Sequence, residues 1–248
     1  MSAIFKKELR SFLTTPVGYI FIIVYLAASG TAFALYTVQN AISAQSADYY
    51  EYFLITIFAC AILLPILTMR VFSEERRLRT EQVLLTSSVP LWEIVAAKFF
   101  ACLVVFGGTQ LLTCFYFIVP AKYGTPNYAI LFGGVLGVFL LGAAFIAVGV
   151  FVSALTENQV VAAAGTIGIL LVLLLSDSLT EMIKTNSSFA EGFIGKAVCS
   201  FLSWLSVLSR IAYFEYGQLD ITALVYYISI CFVFLFLTVR IYQRRRWA

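Results

Sequence analysis

The chain has 248 residues, of which 62% are hydrophobic and only 12% are charged, and its mean hydropathy is +0.96. A soluble domain carries about 25% charged residues, so this one lacks the charge to coat a water-exposed surface. The composition excludes a disordered chain, a nucleic-acid-binding domain and a secreted disulfide scaffold, and identifies an integral membrane protein. Histidine is absent, which removes the commonest general base and zinc ligand. The five cysteines, Cys60, Cys102, Cys114, Cys199 and Cys231, stand singly in apolar runs and are expected as buried free thiols.

The first segment, residues 1–15, predicts an interfacial amphipathic helix. Ile4, Phe5, Leu9, Phe12 and Leu13 share one face, and Lys6, Lys7 and Arg10 lie largely on the other. Pro16 breaks it before the first span. A cleaved signal is not expected, because the apolar run from Val17 is longer than a signal core.

Stretches free of Asp, Glu, Lys and Arg run 11–47, 52–69, 99–121, 123–156, 158–176 and 221–239. Each can hold a helix of about 20 residues, the length that crosses a 30 Å hydrocarbon core. They predict an all-α membrane protein with six transmembrane helices near 17–39, 52–72, 92–119, 128–155, 158–177 and 221–241. Placing the N-terminus inside puts twelve basic residues in the cytoplasm: Lys6, Lys7, Arg10, Arg70, Arg76, Arg77, Arg79, Lys98, Arg240, Arg244, Arg245 and Arg246. Only Lys122, Lys184, Lys196 and Arg210 fall outside. Both termini are therefore expected in the cytoplasm.

The loop between spans two and three, 73–91, holds the densest charge. The second helix is expected to continue as a charged rod, with i,i+4 pairs Glu75–Arg79 and Arg77–Glu81. Thr80 can then cap a short helix carrying Val83, Leu84 and Leu85, ended by Thr86-Ser87-Ser88. Those apolar residues either lie against the membrane and the chain's own helices or dock a soluble partner. Gly133 and Gly137 form G-x-x-x-G in span four, with a similar pair, Ala164 and Gly168, in span five. Small residues of this kind let helices pack closely, within one subunit or between two. The extracytoplasmic stretch 177–220 is expected as a hairpin of short re-entrant or interfacial helices, the apolar face of 189–209 resting in the outer leaflet or covering the outer end of the bundle. Asp177 and Glu181 sit one turn apart and are taken as ordinary helix-end charges.

There is no P-loop and no central ionisable residue in any span, so neither nucleotide binding nor ion coupling is expected on this chain. The segment from Pro65-Ile66-Leu67-Thr68-Met69-Arg70 to Val71-Phe72-Ser73-Glu74-Glu75-Arg76, then Thr80-Glu81-Gln82-Val83-Leu84-Leu85-Thr86, then Trp92 to Lys98, resembles the type-2 ABC transporter permeases. It is closest to their gliding-motility branch. Phe5-Lys6-Lys7-Glu8-Leu9, Leu155-Thr156-Glu157-Asn158-Gln159 and Gly217-Gln218-Leu219-Asp220 extend the likeness over the whole chain. Two departures are Arg79, where many relatives carry glycine, and Pro90, where relatives often have a polar residue.

The resemblance implies a permease subunit with no cofactor of its own, in the bacterial cytoplasmic (inner) membrane. A cytoplasmic ABC ATPase dimer would hold ATP and Mg, and a second permease copy or a paralogue would complete the membrane part. An auxiliary membrane protein with a large extracytoplasmic domain can accompany this branch. The resemblance makes Arg77, Arg79, Thr80, Glu81, Val83, Leu84, Leu85 and Thr86 the ATPase-coupling residues. Glu157, Asn158 and Gln159 make a second cytoplasmic contact, and Phe5, Lys6, Glu8, Leu9 and Arg10 on the interfacial helix a third. Export is the expected direction. A mechanotransmitter that drives an extracytoplasmic partner without passing cargo, and a secondary transporter, are the competing classes. The missing central charge argues against the latter.

Overall fold

The computed structural model describes residues 2–38, 49–82, 89–118, 128–185, 199–200, 204, 206–215 and 220–247. Among these there is no strand, and six helices are long and apolar enough to cross a membrane. Helix α1, Ser2–Thr14, buries Phe12 and half-buries Ile4, Phe5 and Leu9, while Lys6, Lys7 and Arg10 are exposed. Thr15 is extended, as the residue before a proline prefers, and Pro16 opens α2, Pro16–Ala32. The two helices meet closely. A Cβ on Gly18 would lie 2.0 Å from the Phe12 carbonyl oxygen, so only glycine fits there. The first span ends in π-helical turns over Phe33–Val38.

The second span continues into the charged rod as expected, over Tyr50–Arg77, with one turn residue at Met69 whose backbone stays helical (φ −55°, ψ −31°). Helix α3, Tyr50–Thr68, leads to Met69, and α4, Arg70–Arg77, follows it. Two amides just past this turn take an acceptor from outside the helix. Ser153 supplies the acceptor from span four. Its hydroxyl oxygen accepts from the amides of Phe72 (3.1 Å) and Ser73 (3.2 Å) and donates to the Met69 carbonyl at 3.0 Å.

Span three is α5, Leu91–Thr113, closed by a 3₁₀ stretch over Cys114–Ile118. Span four is α6, Tyr128–Leu155, and span five is α7, Gln159–Thr185. Span five thus runs well past the expected end at 177, and the first part of the 177–220 stretch is its continuation. Helix α8, Leu208–Glu215, precedes the last span α9, Ile221–Trp247. Asp220 starts α9 by accepting from the Thr222 amide (2.9 Å) and hydroxyl (2.6 Å). These bonds hold its carboxyl below the usual carboxylate range.

Span four is the most buried of the six. It touches α3, α4, α5, α7, α8 and α9, while α2 leans on α3 and α5. Small residues allow this. A Cβ on Gly149 would fall 2.2 Å from the Thr68 hydroxyl. Spans one to three are joined by polar contacts. The Tyr25 hydroxyl donates to Gln110 Oε1, and the Cys60 thiol donates to the Tyr25 oxygen at 3.9 Å.

Most of the expected outer hairpin, 189–209, lies outside the described residues. In its described part Val207 is buried, and just beyond it Ile211 and Phe214 on α8 are buried too. Asp177 anchors it, accepting from the Ser206 hydroxyl (2.6 Å) and the Ser209 amide (3.2 Å) at the start of α8. That carboxylate is therefore a tether between α7 and α8 rather than an ordinary helix-end charge. Trp204 is exposed, with its ring edge-on to Tyr226.

Candidate coupling face

The charged end of the bundle is built around Lys98. Although it sits on span three, its side chain is only 1% exposed. Its ammonium lies 2.9 Å from Glu8 on α1 and 3.0 Å from Glu75 on α4, and it donates to the Val71 carbonyl at 2.7 Å. The Phe72 ring lies beneath it at 5.0 Å. A buried charge is tolerated only when paired and hydrogen-bonded, and all three of these partners come from outside span three. Lys98 thereby fastens the interfacial helix and the charged rod to the bundle. Lys7 adds a weaker, more exposed contact to Glu75 at 3.8 Å.

Two further pairs extend the network. Arg76, beside Glu75 on α4, reaches Glu157 at 3.0 Å and donates to the Leu155 carbonyl at 2.9 Å. This ties the rod to the turn between spans four and five. That turn is shaped locally by Asn158, whose side-chain oxygen accepts from the Val160 amide at 2.9 Å and so caps α7. At the other end, Arg245 pairs with Glu81 at 3.2 Å and donates to the Ala154 carbonyl at 2.8 Å. The last helix is therefore joined to the start of the expected coupling segment.

The rod stops at Arg77 because Arg79 adopts a left-handed backbone, φ 57°. The Thr80 amide then closes back on the Glu75 carbonyl at 2.9 Å, and the Arg79 amide on Arg76 at 3.1 Å. This is a helix C-cap of the kind that glycine usually makes. It also corrects the expected i,i+4 pairs. Once the helix has ended, Glu75 turns to Lys98 and Glu81 to Arg245. The i,i+4 pair that does form is Arg70–Glu74, at 2.8 Å. Thr80 closes the end of the rod through its own backbone and hydroxyl; most of the short helix it was expected to start lies outside the described residues.

Of the expected coupling residues, Arg77, Arg79 and Thr80 are exposed and Glu81 is half-buried. Val83, Leu84, Leu85 and Thr86 lie outside the described residues. Glu157 and Asn158 are exposed and Gln159 is half-buried. Phe5 and Leu9 face the bundle, Lys6 and Arg10 face away, and Glu8 turns inward to Lys98. Among the packing residues, Gly133 and Gly137 are buried, and Gly137 faces Phe214 of the same chain. Ala164 and Gly168 sit on the outward face of α7, where a Cβ on Gly168 would meet nothing within 4 Å. No cluster able to hold a metal ion occurs among the described residues.

The family described as ABC-2 family transporter protein matches residues 2–247. The chain belongs to that family. None of the curated proteins matches it. As an ABC-2 permease it is a multi-pass membrane component of an ABC transporter, not the catalytic one. The network around Lys98 thus joins, within one ABC-2 permease, the three segments that the motifs singled out. Sequence reasoning had not singled out Lys98, Ser153 or Arg245 for this. The available signal for Lys98 was a charge set several residues inside an otherwise apolar span.

Proposed function

We propose that this ABC-2 permease belongs to an exporter of the gliding-motility-like branch in the bacterial cytoplasmic membrane. Two permeases, identical or paralogous, pair there and are driven by a cytoplasmic ABC ATPase dimer that binds ATP and Mg. The ATPase docks on the coupling segment from Arg77 to Thr86, flanked by α1 and the Glu157 turn. An auxiliary membrane protein with an extracytoplasmic domain completes the assembly.

The observation that supports this reading is the ion-pair network itself. Lys98, Arg76 and Arg245 bind α1, α4, the turn after span four and the end of α9 into one charged plate. A force applied to the coupling segment would then reach spans two, three, four and six together. Exposed Arg77 and Arg79 fix the register of docking more than its strength, because ion pairs at the rim of an interface are individually weak.

The test replaces Leu84 and Leu85 together by Asp. Two carboxylates placed in the contact cost several kcal/mol if buried unpaired. The double variant should insert normally but fail to co-purify with the ATPase. Retention of the ATPase at wild-type affinity would exclude this segment as the coupling element.

A further inference from the structure

Where span three starts beside the end of span six, the two helices leave a cavity of about 880 Å³. Its wall on α9 carries Arg240, Gln243, Arg244 and Arg246, and its wall on α5 carries Leu91 and Trp92. No carboxylate lines it among the described residues. The arginines of α9 are sorted by side. Arg245 turns inward to Glu81 and the Ala154 carbonyl. Arg240 donates to Gln243 at 3.2 Å and lies over the Phe236 ring, and neither Arg244 nor Arg246 forms an ion pair or side-chain hydrogen bond among the described residues. Three cations thus edge one cavity whose described lining holds no anion.

The chemistry of the walls selects the ligand. Arginine forks match phosphate oxygens in pairs. A small soluble anion would leave Leu91 and Trp92 unused. Trp92 is 59% exposed at the end of a membrane span, the level at which indole rings sit among lipid headgroups. We propose that this cavity binds the headgroup of an anionic phospholipid, in the leaflet that the positive-inside bias makes cytoplasmic. The phosphate lies between Arg240 and Arg244, Arg246 adds to the positive field around it, and the glycerol and first methylenes rest on Leu91 and Trp92. Pro90, on the same cavity, is where the chain returns from the coupling segment. A bound lipid would brace that return against α9.

The experiment uses the full-length chain in lipid nanodiscs, with Trp204→Phe and Trp247→Phe leaving Trp92 as the only tryptophan. Phosphatidylglycerol and phosphatidylcholine with brominated acyl chains are compared as quenchers at equal mole fraction. The phosphatidylglycerol should quench more, and its preference should fall about five-fold for each arginine removed in R240Q/R244Q. The variant K6Q/R10Q, which removes the same charge from α1, should keep the preference. Equal quenching by the two lipids overturns the proposal, as does a preference that survives R240Q/R244Q or disappears equally in K6Q/R10Q. Loss of the preference on adding millimolar inorganic phosphate, at constant ionic strength, would also overturn it, in favour of a soluble anion. If R240Q/R244Q does not insert, the single exposed substitution Arg246→Glu carries the same test.

Discussion

The Lys98 ammonium lies 2.9 Å from the Glu8 carboxylate, although one belongs to a membrane span and the other to a helix lying across the bundle's end. With Glu75 on the other side, a single cation serves two carboxylates in a site nearly closed to water. Replacing Lys98 by Met leaves Glu8 without its buried partner and Glu75 with only the longer, exposed contact to Lys7 at 3.8 Å. Removing one member of a buried pair costs about 3–5 kcal/mol. Lys98→Met should therefore lower the thermal midpoint in detergent markedly, and adding Glu8→Gln should recover part of the loss. It should also speed thiol labelling at Phe12→Cys as α1 comes away. An unchanged midpoint would mean that the three groups are not held together in solution.

Arg79 gives a test of opposite sign. A non-glycine residue at φ 57° pays steric strain, about 1–2 kcal/mol for most side chains. Glycine relieves that strain but adds freedom to the unfolded chain. Arg79→Gly should leave stability nearly unchanged or slightly higher, whereas Arg79→Val should cost more than about 1 kcal/mol, since a branched side chain fits the left-handed region worst. A thermal melt of each variant decides this. Equal melts for the two would place the end of the rod elsewhere.

Ser153→Ala removes one oxygen and the acceptor for two amides just past the Met69 turn. A buried donor left unsatisfied costs about 1–3 kcal/mol. The expected result is faster amide exchange at Phe72 and Ser73, with exchange in the middle of α3 unaffected. Uniform slowing or no change would show that the turn is stabilised otherwise.

The glycines separate packing within the chain from packing between chains. Gly137→Leu must displace Phe214, whose Cβ would stand 3.2 Å from the new side chain's own Cβ. Its failure would report on the monomer. A Cβ on Gly168 meets nothing within 4 Å among the described residues. If α7 forms the seam between two permeases, Gly168→Leu should weaken association with little change in the melting of the isolated subunit. Association at full strength would move the seam off this face of α7.

The spans were legible because their signal is local: an uncharged run of sufficient length must be a helix in lipid. Span four was placed at 128–155, as found, because charge or turn residues bound it on both sides. The amphipathic face of α1 was legible for the same reason. The turn residue at Met69 was not, since Thr68-Met69-Arg70 reads as regular helix and the hydroxyl that serves the neighbouring amides comes from Ser153. The role of Lys98 was hidden because a lysine just inside a span normally reaches back to the interface. Nothing in the sequence says that Glu8 will be brought to it. The G-x-x-x-G spacing announced close packing and could not name the neighbour.

Gly18 allows α1 to fold over the first span with no clearance, the Phe12 carbonyl resting where a methyl group would otherwise be. Pro16 fixes the backbone two residues earlier. An elbow so tightly filled has little room to flex. A load that tips α1 is not absorbed at the joint. It swings the first span about the same fulcrum, so that the short arm on the membrane surface steers the long arm within it.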